Sequence, residues 1–415
     1  MKKYLEIIIL LVVIGSTALG QSLNEQTPYV ILVSFDGFRH DYVEKYNAPN
    51  FKSFIKNGVA AKAMIPSFPS KTFPNHYTLV TGLYPDNHGL VDNTFYDSDL
   101  DLIYRISNRE RVQNPAFYGG LPLWQLTQQN GMKSASFFWV GSEAPVQGQF
   151  PTYYKIYDDN LANEPRIEQV VNWLKLPAPE RPNFISLYFS LVDNAGHAYG
   201  PDHEETKKAV LEADRLLGML KKQTDALNLP INIIVVSDHG MEPIEPKKEK
   251  YIEAGKLLEG LNNEEVRMIN NGPHAHFYVN DEQIRQQTYK RLKQHEGAYQ
   301  VYYKQNLPPH MHYGTHSRIG DIVLVMKPGH YISSEGRIKH NIENKITRGE
   351  HGFDPKTTPT MGAIFYANGP NIKKGLVIEE FENVHVYPLI AELLGITKVP
   401  AIDGQLEVLK GIIER

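Results

Sequence analysis

Apolar residues fall in short continuous runs separated by longer amphipathic stretches. Tyr29–Phe35 (YVILVSF), Lys133–Trp139 (KSASFFW), Phe184–Val192 (FISLYFSLV), Ile231–Val236 (INIIVV) and Ala363–Tyr366 (AIFY) have strand length and little polar alternation. Runs of this kind predict strands buried on both faces, as in a parallel sheet. Between them the spacing turns helical. Pro122–Asn130 stops at Gly131, a favourable C-terminal cap, and Glu164–Leu174 is a second helix. Asp202–Leu227 sets Val210, Ala213, Leu217 and Leu220 on one face. The alternation predicts a doubly wound α/β fold, with a mainly parallel sheet and helices on both faces. From Pro243 to about Gly336 the rhythm breaks into a charge run at Lys247–Lys250, a helix near Glu282–Gln294 and several short strand-like runs. A small α+β insertion at about 243–336 is expected there. The sheet then resumes near Ala363, and Val384–Leu394 forms a closing helix.

The first twenty residues stand apart. Lys2 and Lys3 precede an apolar run at Ile7–Ile14, and Ala18 and Gly20 sit at the −3 and −1 positions of a cleavage site. This pattern predicts a signal peptide at 1–20 and a mature chain at 21–415, exported to a periplasm or secreted. The run falls short of the roughly 20 apolar residues of a membrane span, and no later stretch is long and apolar enough for one. The 415 residues contain no Cys, so disulfides and zinc–thiolate sites are excluded. A net charge of −4 offers no basic stripe for a nucleic-acid backbone. A small nucleotide remains possible, because metals can neutralise its phosphate locally.

Carboxylates then follow three of the predicted strands. Asp36 follows its strand in VSFDGF, Asp193 in FSLVDNAGH, and Asp238 with His239 in IVVSDHGM. In open α/β sheets, sites form beyond the carboxyl ends of strands, so these residues are expected to converge. Each alone reads as a turn or cap residue. His197 lies four residues after Asp193, with Gly196 between them suggesting a turn, and His351 lies between Gly349 and Gly352. Mixed oxygen and imidazole donors suit zinc or another transition metal better than magnesium or calcium. Thr72 lies between Pro69 and Pro74, at the start of a helix expected to run to about Thr81. Taken alone it reads as a helix cap. Beside a metal it reads as a nucleophile, by the logic that brings metal-bound water to a pKa of about 7.

The stretches KTFPNHYTLVTGLYPDNHGLVDN, FFWVGSE, DNAGHAYGP, SDHGM and EHGFD together resemble the nucleotide pyrophosphatase/phosphodiesterase family of the alkaline phosphatase superfamily. The resemblance runs from about Tyr29 to Asp403 and implies an alkaline phosphatase-like sheet. It further implies two zinc ions: one held by Asp193, His197 and His351, the other by Asp36, Asp238, His239 and the Thr72 hydroxyl. Asn93 matches an amide that contacts a non-bridging phosphate oxygen. Phe73 and Tyr157 match aromatics that clasp a nucleobase, with core packing as their other reading, and Trp139 falls near that pocket. Lys71 reads as structural or as a surface charge.

The implied reaction is in-line attack by Thr72 on a phosphodiester or pyrophosphate, a covalent threonyl ester, and release of a nucleoside 5′-monophosphate. The family also contains enzymes of lysophospholipids and choline phosphodiesters, and a silent zinc- and nucleotide-binding protein is the alternative of another class. No residue is assignable to the third metal or the Arg of monoesterases, and the modified Cys or Ser motif of sulfatases is missing. His274, His276, His310, His312 and His316 read as packed or solvated rather than as a further zinc site. The chain looks like the catalytic unit alone, as in bacterial members.

Overall fold

The continuous apolar runs form the middle of an eight-stranded sheet in the computed structural model, which describes residues 28–262 and 264–414. The expected signal segment at 1–20 lies outside the described residues. From edge to edge the strands are Leu376–Ile378, Val59–Ala61, Phe365–Asn368, Ile231–Val236, Tyr29–Phe35, Pro182–Phe189, Lys133–Phe137 and Tyr153–Lys155. Phe365–Asn368 alone runs antiparallel to its neighbours. Tyr29–Phe35 is central and pairs in parallel with both Pro182–Phe189 and Ile231–Val236. Its residue Ser34 stands opposite Tyr188 on one side and Val236 on the other. That shared register brings the carboxyl ends of all three strands to one edge, where Asp36, Asp193 and Asp238 follow.

Alternate residues of the central strand serve two cores, as the period of two requires. Val30 and Leu32 pack with Tyr77, Trp124 and Tyr387, from helices Thr72–Thr81, Leu123–Gln129 and Val386–Leu393. Ile31, Val33 and Phe35 pack with Phe51, Val170 and Leu217, from Pro49–Lys56, Asn163–Leu174 and Glu204–Asp225. Truncating one of these buried side chains to Ala costs about 2–5 kcal/mol. Within the 243–336 segment, Arg267–Asn270, His274–Tyr278, Ile322–Met326 and Tyr299–Tyr303 form a separate antiparallel sheet, in that order. Its own core includes Phe277, Leu292, Tyr299 and Leu324. No helix among the described residues is long and apolar enough to cross a membrane.

Several elements depart from the sequence reading. The strand expected through Trp139 stops at Phe137, because Phe138 adopts a positive φ of 68° and turns the chain. The run expected through Val192 ends at Phe189, and Leu191–Tyr199 is a helix rather than a turn at Gly196. Helical spacing is what sets Asp193 and His197 on one face. Gly196 is there for clearance: a Cβ would come within 2.8 Å of the Met241 methyl carbon. The last long strand is Phe365–Asn368 rather than Ala363–Tyr366, and it runs against the sheet.

His88 gives the first core a titration signature. Its Nδ1 accepts the Leu90 N–H at 3.1 Å, so Nε2 carries the proton and donates to Thr78 Oγ1 at 3.1 Å. Burial pulls its pKa down to about 3. An unfolded histidine titrates near 6.5. Between those values the unfolded chain binds more protons, so stability falls as pH falls below about 6.5. The urea midpoint is expected to drop between pH 7 and pH 5, and His88→Asn should flatten part of that slope. An undiminished slope in the variant contradicts the assignment.

Candidate metal and substrate site

Three histidines at the strand edge share one bonding pattern. His239 Nδ1 donates to Gly240 O at 2.9 Å, His351 Nδ1 to Ser70 O at 3.0 Å, and His197 Nδ1 to Gly349 O at 2.8 Å. Each therefore turns a bare Nε2 lone pair inward. Those lone pairs face acceptors. His239 Nε2 lies 2.9 Å from Asp238 Oδ2 and 3.5 Å from Asp36 Oδ1. His197 Nε2 lies 3.4 Å from Asp193 Oδ1 and 3.1 Å from His351 Nε2. Asp36 Oδ1, Asp193 Oδ1 and Asp238 Oδ2 are buried and have no hydrogen-bond donor among the described residues. Acceptors facing acceptors in a buried site need a cation between them.

The electrostatics agree. Burial, then the charges of Asp238 and Asp193, push the Asp36 carboxyl well above the usual carboxylate range. Burial would raise Asp238 as well, but His239 and His76 hold it at about 2. Burial and its neighbours His239, Lys71 and His197 drive His351 well below an ordinary histidine. A proton on His239 satisfies Asp238: that carboxylate raises the pKa of His239 although burial opposes it. It leaves Asp36, Asp193 and the His197–His351 pair unsatisfied. The donor set of carboxylate oxygens and Nε2 atoms fits divalent transition metals. Ligand atoms of Asp36, Asp238 and His239 lie within 4.8 Å of one another, as do those of Asp193, His239 and His351. His239 stands at the junction of the two groups, its ring stacked on that of His351 at 3.5 Å.

Thr72 enters this cluster from a helix end. It is the first residue of Thr72–Thr81, after an extended Lys71. Its hydroxyl caps no helical amide; it donates to His239 Nε2 at 3.3 Å. The preceding loop is fixed by the Asn75 side chain. That amide donates to Pro69 O and Lys71 O, both at 2.9 Å, and accepts the Ser67 N–H at 2.8 Å. One turn into the helix, His76 Nδ1 donates to Thr72 O at 2.9 Å, while its Nε2 accepts from Ser34 Oγ at 2.8 Å. Asn93 Oδ1 accepts the N–H of Phe73 at 2.9 Å, which sets the Asn93 amide beside Thr72.

A cavity of about 360 Å³ opens over Thr72, lined among others by Asp36, Phe73, Trp139, Tyr157 and Asp193. The two candidate base-clasping aromatics thus share one cavity with the candidate nucleophile. Tyr157 is held by its N–H to Glu143 Oε1 and its hydroxyl to Asp159 Oδ1, both at 2.8 Å. Trp139 Nε1 donates to His76 O at 2.9 Å. Arg109 pairs with Glu143 at the wall of the cavity. Arg109, Glu143 and Tyr188 were not selected from the sequence. Glu143 lies inside the FFWVGSE motif and was findable there. Tyr188, which donates to Asp36 Oδ2 at 2.6 Å, looked like one more strand residue. A larger cavity of about 1200 Å³, around Asn50, Pro230 and Gly369, lies near the start of strand Ile231–Val236, at the opposite end from these carboxylates.

Lys71 is no surface charge: only 7% of it is exposed, and burial lowers its pKa. His310 pairs with Asp354 and His312 stacks on Tyr84. His316 Nδ1 accepts the Arg318 N–H. His274 and His276 meet Asp92 in a third buried group.

Residues 30–354 match the family model described as type I phosphodiesterase / nucleotide pyrophosphatase. The chain is similar to a venom phosphodiesterase of Macrovipera lebetinus, 37% identical over 93% of this chain and 45% of that protein. It is 35% identical to ectonucleotide pyrophosphatase/phosphodiesterase family member 1 of Homo sapiens, over 92% of this chain and 42% of that protein. It thus spans about half the length of the curated relatives it matches. Among solved structures it resembles murine ectonucleotide pyrophosphatase/phosphodiesterase 5 in an inactive threonine-to-alanine form with AMP. That likeness has a TM-score of 0.85 at 30% identity, over 93% of this chain and all of that one. The human counterpart matches with a TM-score of 0.85 at 31% identity and the same coverage.

Gly37 supplies a local test. Its φ is +68°, and a Cβ would stand 2.9 Å from Asp193 Cα and Cβ, while its N–H donates to Asp238 Oδ1 at 3.2 Å. Gly37→Ala should force Asp36 and Asp193 apart. Zinc affinity, measured by competition with a chromophoric chelator, is expected to fall about 10–100-fold. Unchanged affinity contradicts the shared-cation reading.

Proposed function

This chain belongs to the type I phosphodiesterase / nucleotide pyrophosphatase family, and from that premise we propose that it is a two-zinc hydrolase of nucleotide phosphodiester and pyrophosphate bonds. Its product would be a nucleoside 5′-monophosphate. One observation carries the reading: Thr72, two of the three unpartnered carboxylates (Asp36 and Asp193) and the Phe73–Tyr157 pair line one cavity. Its volume falls within the roughly 300–1,000 Å³ of small-molecule pockets. Asp193, His197 and His351 would hold one ion, and Asp36, Asp238, His239 and Thr72 the other. When bound, the two ions supply Lewis acidity and neutralise charge on the attacking and leaving oxygens.

The residues of the chain do the rest. Phe73 and Tyr157 hold the base and so fix the α-phosphorus over Thr72 Oγ1. The Asn93 Nδ2 and the backbone N–H of Thr72 donate to the equatorial phosphate oxygen, where charge grows during attack. Thr72 Oγ1 bonds to phosphorus as the leaving oxygen departs on the opposite side. Water then hydrolyses the threonyl ester, frees the 5′-monophosphate and restores the hydroxyl. Apart from His239, Thr72 Oγ1 has no side-chain hydrogen-bond partner among the described residues that could act as a base. That supports activation by a cation rather than by a His–carboxylate pair.

The murine neighbour was captured with AMP as an inactive threonine-to-alanine form, and that supports the nucleotide reading here. We further read residues 1–20 as an export signal and 243–336 as an insertion. Thr72→Ala should lower turnover about 10,000-fold or more while leaving two zinc equivalents bound. Retained turnover sinks the nucleophile assignment. A panel of ATP, a diadenosine polyphosphate, p-nitrophenyl thymidine monophosphate, p-nitrophenyl phosphate and lysophosphatidylcholine tests the substrate class. The nucleotide diesters are expected to lead in kcat/KM. A lead for the monoester or the lipid overturns that part.

A further inference from the structure

The third buried group, Asp92 with His274 and His276, lies where the 243–336 segment meets the site. Asp92 is fully buried beside Asn93, and its Oδ1 accepts the Asn93 N–H at 2.7 Å. Its Oδ2 accepts from Asn271 Nδ2 at 2.8 Å and from His274 Nε2. The other nitrogen of His274, Nδ1, lies 3.1 Å from Gly352 O, within hydrogen-bond distance. One buried imidazole thus joins the loop carrying Asn93 to the loop carrying His351. A second arm lies at the segment's boundary. Arg337 Nη2 donates to Glu350 Oε1 at 2.8 Å, and Glu350 Oε2 lies 3.7 Å from His197 Nδ1.

Three buried side chains of this composition also suggest a third metal. Their ligand atoms lie within 4.8 Å of one another, and His276 Nε2 is buried without a partner, 3.6 Å from Asp92 Oδ2. Proton placement argues against it. His276 Nδ1 accepts the Gly320 N–H at 3.2 Å, so its proton sits on Nε2. His274 Nε2 is taken up by Asp92 Oδ2, an oxygen that Asn271 Nδ2 also donates to. The His276 ring thus lacks the bare inward Nε2 lone pair that His197, His239 and His351 share.

We propose that His274 and Asp92 are positioning residues through which the 243–336 segment holds Asn93 and His351 in register across the reacting phosphate. The inference rests on the proposed two-zinc reaction, and its test separates the two. Zinc content by elemental analysis, zinc affinity by chelator competition, and kcat and KM for p-nitrophenyl thymidine monophosphate are measured on wild type, His274→Gln, Asp92→Asn and their double variant. Wild type should hold two zinc equivalents. Each single variant should weaken one zinc equivalent about 10–100-fold and lower kcat at saturating zinc, with KM little changed. The double variant should lose no more than the worse single one. Should these buried variants not fold, Arg337→Met, whose parent side chain is 45% exposed, reads the second arm and should weaken the same zinc equivalent. Zinc affinity and kcat at wild-type values in a folded variant, with only the melting temperature lowered, overturn the positioning role. A third zinc in wild type that His276→Ala removes overturns it as well. Wild type that neither binds zinc nor cleaves the diester overturns the premise instead.

Discussion

Three carboxylates that repel one another set the terms of this structure. Asp36, Asp193 and Asp238 meet at the carboxyl edge of the sheet because their strands pair in parallel and in register. Two like charges 4 Å apart cost about 4 kcal/mol at an effective dielectric of 20. No Lys or Arg donates to the three unsatisfied oxygens. What surrounds them is organised to present more lone pairs, since every nearby histidine spends its Nδ1 proton on a carbonyl. The arrangement makes sense as a container for cations, and the fold maintains it against its own repulsion with two well-filled cores.

Thr72 depends on the same constraint. A helix start is a common place for threonine, and capping is its common use. Here the hydroxyl turns away from the helix and toward His239. Asn75 and His76 fix the backbone on either side, so the orientation is set by the loop rather than chosen by the side chain. The cavity above adds aromatic walls at Phe73, Trp139 and Tyr157. The separate sheet of the 243–336 segment reaches the site through His274, at the loops carrying Asn93 and His351.

Much of this was legible in the sequence because buried parallel strands announce themselves. Tyr29–Phe35 and Ile231–Val236 were read to the residue, and the acids after them followed from the general position of sites in open sheets. The helix at Leu191–Tyr199 was not legible. Gly196 weighs against a helix locally, and only the close approach of Met241 explains its presence. The turn at Phe138 was hidden too, since a positive φ on an aromatic residue has no sequence signal. Asp92 and His274 are 182 residues apart, so their pairing depends on how a separate sheet docks. Composition could not reveal it.

The central claim is that cations, and not protons, hold the strand-end carboxylates together. Calorimetric titration of zinc into chelator-stripped protein near pH 7.5 tests it most directly. The account predicts two equivalents bound per chain, absent from the Asp238→Ala variant for one of them. Saturation at zero or one equivalent in wild type would contradict it.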